Sequence, residues 1–362
     1  MITQESTQRS ESEIFELAET CVNIVKRAHS ETKYDSIGGN LSLFWLTQDY
    51  FRAYASVQSP NPIKHEIAIS YGAAVDIYRE AELFPKYCEE HFGGSQFREL
   101  YKNIPSDAAP KGPLPEGLTN SMITDRITKS VLAWIFLHEQ AHLFQQHGKV
   151  GHLLHLPISE INGCLIDEAY DSTKHTLTGE SACLRHLFEL SADYEAMQHT
   201  LVSLIAAEGR TLPMSTLWCF VAGLTCLFRR FFGYTTVPTR GVPSGTHPDP
   251  SYRMSMLLRG MSGFLCSNSL KQYVPWIREE RDFFAVTNHA TVTATMFINY
   301  SHDIGFGNGE FLDRVGLFET MPNDYMQPMA EMWLKARPVI IDNYFGSDKT
   351  CVLPPLDVTN FV

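Results

Sequence analysis

Residues 131–147 read VLAWIFLHEQAHLFQQH, an apolar run that carries His138, Glu139 and His142 in the pattern HExxH. Side chains four apart lie one above the other on a helix face. Two imidazoles so placed can reach a single zinc ion, and the glutamate between them can activate water. Val131, Ile135, His138 and His142 share one stripe, so both histidines are expected to face inward. The helix is expected to span roughly 121–147. Ser121 would cap its start, Gly148 would end it, and His147 would cap its last turn.

A catalytic zinc site uses three protein ligands and keeps one position open. The sequence Glu189-Leu-Ser-Ala-Asp193 offers the missing pieces, on a second helix expected over 179–207. Glu189 is the candidate third ligand. Asp193, four residues on, is expected to meet the free N–H of a ligand histidine and fix its tautomer. Small Ser191 and Ala192 would let the two helices approach; the alternative for this segment is an ordinary acidic helix face continued by Glu195. The sixth residue after His142 is Gly148, so no third histidine stands where a longer motif would need it. His152, His155 and His186 therefore read as surface or supporting groups.

A third segment, SGTHPDPSYRMSML at 244–257, adds two candidates. His247 follows a Gly/Pro loop, and its N–H could hydrogen-bond a developing oxyanion. Arg253 could pair with Asp193 and hold the loop. Asp249-Pro250 forms a cap and first turn for a helix running to about Leu265.

The rest of the chain limits what surrounds these segments. It has 362 residues and a formal charge of −12, which argues against a nucleic-acid partner, since phosphate binding needs clustered Lys and Arg. The eight cysteines form no CxxC and read as reduced core residues, and the polar N-terminus lacks a signal-peptide pattern. Both features imply a cytoplasmic protein. Residues 212–228 run 17 positions without a charge, short of the roughly 20 a membrane helix needs, and read as a buried core helix with no membrane partner.

Ile14, Leu17, Ala18, Cys21, Ile24 and Val25 mark an amphipathic helix over 12–28. Residues 41–57 suit one or two strands. HEIAIS at 65–70 reads as a strand, either part of a core sheet or able to pair an extended peptide, and a helix follows over 73–91. The Pro-rich stretch 104–120 reads as a loop or lid, and helical pieces are expected within 270–301, 310–318 and 325–336. The fold class is mainly α with a small antiparallel or mixed β-sheet.

In this order, HEQAH at 138–142, ELSAD at 189–193 and THPDPSYR at 246–253 resemble the HExxH, ExxxD and THPxxxxR blocks of gluzincin zinc metallopeptidases. The active-site helix and HEIAISYGAAVDIYREAELF at 65–84 resemble the Lit phage-exclusion peptidase family and, more distantly, the HtpX/CAAX-prenyl-protease group. The resemblance covers about residues 60–265. It implies a zincin-like fold with Zn2+ held by His138, His142 and Glu189. Glu139 would be the general base, Asp193 a supporting residue, and His247 and Arg253 accessory catalytic groups. The implied activity is a zinc-dependent endopeptidase acting on protein or peptide substrates, in stress or phage defence. The elongation-factor target of Lit-type peptidases does not carry over with the chemistry, because substrate choice lives in loops and grooves.

The chain is expected to divide into a frayed terminus (1–11), an N-terminal helix and sheet region (12–120), a zincin catalytic core (121–268) and a C-terminal helical region (269–362). The long insert between His142 and Glu189 and the long C-terminal region depart from the family pattern. Other readings are a zinc-stabilised pseudo-enzyme or binding module, a membrane-embedded protease using 212–228, and a peptidase kept shut until a protein or peptide activator arrives.

Overall fold

The computed structural model describes residues 9–94, 107–155, 164–166, 177–233, 242–301, 310–312, 315 and 323–345. The first eight residues of the expected frayed terminus lie outside this set. So do parts of the expected loop at 104–120, of the insert between His142 and Glu189 and of the Gly/Pro loop before His247, and most of the 310–318 segment.

The chain is mainly α-helical with one small mixed sheet. Helix α1 (Glu11–Lys26) opens on a capping box made by Ser10 and Glu13 and leads through a π-helical turn into α2 (Thr32–Ser36). Its buried stripe is Ile14, Ala18, Val22 and Val25; Ile24, expected inside, is 61% exposed. Strands β1 (Asn40–Leu46), β2 (Ala53–Pro60) and β3 (Ile63–Ser70) follow, and Ser70 caps helix α3 (Tyr71–Phe92). The sheet order is β1-β3-β2-β4, where β4 is the short Cys164–Ile166. Strand β3 is parallel to β1 and antiparallel to β2. This corrects the peptide-pairing expectation for residues 65–70. Both edges of that strand are already hydrogen-bonded within the sheet, so it has no free backbone row to offer. Its inward residues His65, Ile67 and Ile69 instead join the core.

Under the sheet lies α4 (Asn120–Phe144), the helix that carries HExxH. Thr119, not Ser121, caps it, accepting from the Met122 amide at 3.3 Å. The helix also stops earlier than expected. Gln145 is its C-cap and Gln146 adopts a left-handed backbone at φ 51°, so the chain turns before Gly148. His147 is therefore no helix cap. It begins the next helix, α5 (His147–Leu153), and is buried.

Two long helices flank α4. Helix α6 (Gly179–Ala207) carries Glu189 and Asp193, and α7 (Met214–Gly233) carries most of the charge-free segment and continues past it through Arg229 and Arg230. Helix α7 packs on α4 so closely that a Cβ at Gly223 would sit 2.6 Å from Val131 Cγ2, which is why a glycine stands there. Trp218, Phe220, Val221 and Leu224 are fully buried, so the apolar run is spent on the core. Among the described residues no helix is long and apolar enough to cross a membrane.

Asp249 caps α8 (Pro250–Leu265) by accepting from the Ser251 amide at 2.8 Å. Helices α9 (Glu280–Ser301) and α10 (Asn323–Asn343) complete the description. Between residues 270 and 280 there is only a 3-10 turn at Lys271–Tyr273, so the helical content expected from 270 starts later. Helix α10 forms a second core with α6 and Tyr252, built from Met326, Met329, Trp333 and Ile340. The cysteines at 21, 88, 183, 219, 226 and 266 are free thiols, in line with the reduced reading; Cys164 and Cys351 lie where no side chain is described.

Candidate metal centre

The four-residue spacing on α4 does what helix geometry demands. His138 and His142 stack on one face with their Nε2 atoms 3.0 Å apart. Helix α6 crosses this face and brings Glu189 to them. Its Oε2 lies 3.4 Å from His138 Nε2, and its Oε1 lies 3.6 Å from His142 Nε2. The three groups are buried, with one ligand atom from each within 4.8 Å of the others. Ser191 and Ala192 permit the close crossing; both are fully buried between the helices.

Each imidazole is oriented from behind. His138 Nδ1 is 2.9 Å from Asp193 Oδ1, the pairing expected from the Glu189–Asp193 spacing. A carboxylate only accepts, so the His138 Nδ1 carries a hydrogen. Arg253, on the first turn of α8, grips the same Asp193 with two bonds, Nε to Oδ2 at 2.8 Å and a terminal nitrogen to Oδ1 at 2.7 Å. It also reaches Glu189 Oε2 at 3.5 Å, and its guanidinium lies over the Phe228 ring at 5.2 Å. Trp134, one turn before His138, packs against that imidazole at 5.2 Å and against Phe228 at 5.5 Å. Helix α7 thus supplies an aromatic floor to the site.

His247 is the most exposed member, with 32% of its side chain accessible. Its Nε2 lies 3.9 Å from Glu189 Oε1, and its Nδ1 is 2.8 Å from the Thr246 hydroxyl. The structure therefore gathers all seven sequence candidates, His138, Glu139, His142, Glu189, Asp193, His247 and Arg253, around one point.

Electrostatics at that point favour a cation. Burial raises the pKa of Glu189, yet His247, His142, His138 and Arg253 outweigh it and hold the carboxyl well below its usual range. Asp193 is likewise held low by Arg253 against the effect of burial. Burial pulls the pKa of both His142 and His247 below the usual imidazole value. For His138, burial opposes a charge, but its contacts with Asp193 and Glu189 prevail and lift the pKa to about 9. Two ring nitrogens and a carboxylate thus converge on a space that only a proton or a metal ion can make favourable. The donor set, two imidazoles and one carboxylate, is that of a catalytic zinc site. Because metal and proton compete for the same nitrogen, affinity rises with pH.

Glu139 completes the fit. It is fully buried, and neither carboxylate oxygen has a hydrogen-bond partner among the described residues. Burial raises its pKa to about 8. An orphaned buried carboxyl is costly unless another group occupies the space beside it.

Sequence reasoning missed a layer behind His142. His147, Gln145, Glu195 and Tyr344 join in one hydrogen-bonded line there. Glu195, which only the alternative reading of this segment places on an acidic face, is 1% exposed. His186 is also buried and bonds the Tyr325 hydroxyl at 2.7 Å, tying α6 to α10, whereas His152 and His155 are exposed as expected. Compared with known proteins, the chain matches no family model, no curated protein and no solved structure.

Proposed function

We propose that the protein is a zinc-dependent peptidase of the gluzincin type, with a zincin-like catalytic core. The observation that carries the reading is the orphaned Glu139 carboxyl beside three converging ligands. A purely structural metal site needs no such acid. His138 Nε2, His142 Nε2 and a Glu189 oxygen would hold the ion. When bound, zinc lowers the pKa of water and polarises a carbonyl.

The chain's own groups account for the rest. Glu139 accepts the proton of the attacking water at a carboxylate oxygen and later delivers it to the leaving amine nitrogen as the C–N bond breaks. Asp193 keeps the His138 hydrogen on Nδ1, which would leave Nε2 to hold the ion. Arg253 holds Asp193 in place and adds positive charge near Glu189. With the Thr246 hydroxyl donating to Nδ1, His247 presents an Nε2–H to the developing oxyanion. A substrate enters on the His247 side, since the other members are almost wholly buried. Stress or phage defence would be the setting, with a protein substrate and, for so enclosed a site, a protein or peptide activator.

The test is cleavage of a random peptide library by the zinc-loaded full chain. Cleavage is expected to stop when a chelator is added and to return with one equivalent of zinc. A zinc-loaded protein that leaves the library and a panel of unfolded proteins intact contradicts the peptidase reading.

A further inference from the structure

The zinc reading accounts for the orientation of His138 through Asp193, but His142 has no carboxylate behind it. We infer that His147, aligned by Gln145 and Glu195, is the positioning residue that fixes His142 in the tautomer a metal requires. This rests on the zinc reading of the same site and extends it to a residue that the HExxH pattern does not contain.

The direction of every hydrogen in the line follows from its anionic end. The Glu195 carboxylate can only accept. It takes the Tyr344 hydroxyl at 2.7 Å on one oxygen and Gln145 Nε2 at 2.8 Å on the other. Gln145 Nε2 also donates to the Ser191 carbonyl at 3.1 Å, so the amide nitrogen is committed on that side. The Gln145 oxygen must then face His147 Nε2, which lies 2.9 Å away and has to carry the hydrogen. Ser191 agrees: its hydroxyl donates to the Phe188 carbonyl at 3.1 Å and is left as a second acceptor for His147 Nε2 at 3.2 Å.

A neutral imidazole has one N–H, so His147 Nδ1 is a bare acceptor. It sits 2.7 Å from His142 Nδ1, which must therefore donate. His142 Nε2 is left without a hydrogen, facing His138 Nε2 and Glu189. The ring of His147 is itself clamped, stacked on Phe188 with centroids 4.2 Å apart and planes 13° apart. The left-handed turn at Gln146 makes this possible, because it folds His147 back beneath the end of α4. The two ligand histidines are thus set by different devices, one by a carboxylate and one by a neutral ring whose own tautomer is dictated from Glu195.

The test uses the full chain with two substitutions. His147→Phe keeps a ring to stack on Phe188 but removes the acceptor. His147→Asn places an amide oxygen where Nδ1 stood. In chelator competition the Phe variant is expected to bind zinc about 10–100-fold more weakly than wild type, and the Asn variant to recover most of that loss. Nitrogen NMR of the zinc-free protein supplies a readout independent of metal. His142 is expected to be protonated on Nδ1 in wild type and in the Asn variant, and to shift toward the Nε2–H form in the Phe variant.

Equal losses in both variants, or none in either, would overturn the inference. So would a wild-type His142 protonated on Nε2, a result that needs no variant to fold. If wild type binds no zinc at all, the zinc reading fails, yet the tautomer of His142 still decides this inference.

Discussion

Glu139→Gln is expected to lower peptide hydrolysis by about 10²–10⁴-fold while zinc stays bound. The reasoning starts from shape. Glutamine fills nearly the same volume, so the fully buried position keeps its packing against α4's neighbours. The ligands His138, His142 and Glu189 are untouched, and their backing by Asp193 and His147 does not pass through Glu139. The change therefore removes one thing, an oxygen able to take up a proton. Stability should hold or rise, because an orphaned carboxyl is replaced by a neutral amide. Peptide turnover and zinc content measured on the same preparation separate the two effects. Full activity in the variant would show that the proton goes elsewhere.

Asp193→Leu is expected to cost about 3–5 kcal/mol of folding stability, the largest single loss of any change at the site. Arg253 and Asp193 are 4% and 2% exposed and share two short hydrogen bonds. Removing the carboxylate takes two short hydrogen bonds from a buried guanidinium, whereas removing both partners leaves no such charge behind. Arg253→Met combined with Asp193→Leu should thus recover a large part of the loss, since well-packed apolar replacements of buried pairs are often neutral. Urea unfolding with excess chelator present reads the ion pair without the contribution of zinc. Losses that simply add in the double variant would mean that the two residues do not act as a pair.

Much of this site was legible because helices impose short, fixed spacings. His138 with His142, and Glu189 with Asp193, each share a face as a direct consequence of 3.6 residues per turn. The cap at Asp249 and the full extent of α6 were readable for the same local reason. Arg253 is different. Its pairing with Asp193 spans 60 positions, and only the chemistry of a buried carboxylate needing a cation suggested it.

His147 shows where such reasoning stops. On an unbroken helix it would stand roughly 140° around from His142 and point away from it. A non-glycine residue, Gln146, adopts the left-handed turn that reverses this, and nothing in its side chain announces that choice. The role of Glu195 was hidden for a related reason. Its partners Gln145 and Tyr344 lie 50 and 149 positions away, and only tertiary packing brings them to it. The place of β3 in the middle of the sheet was equally hidden, because local alternation reveals a strand but not its neighbours.

The most direct measurement is zinc bound per chain, by elemental analysis, in wild type and in a His142→Ala, Glu189→Ala variant. One zinc per wild-type chain, and almost none in the variant with helical content unchanged, is the predicted result. Equal zinc in both proteins, or none in wild type after loading, would contradict a metal centre built on His138, His142 and Glu189.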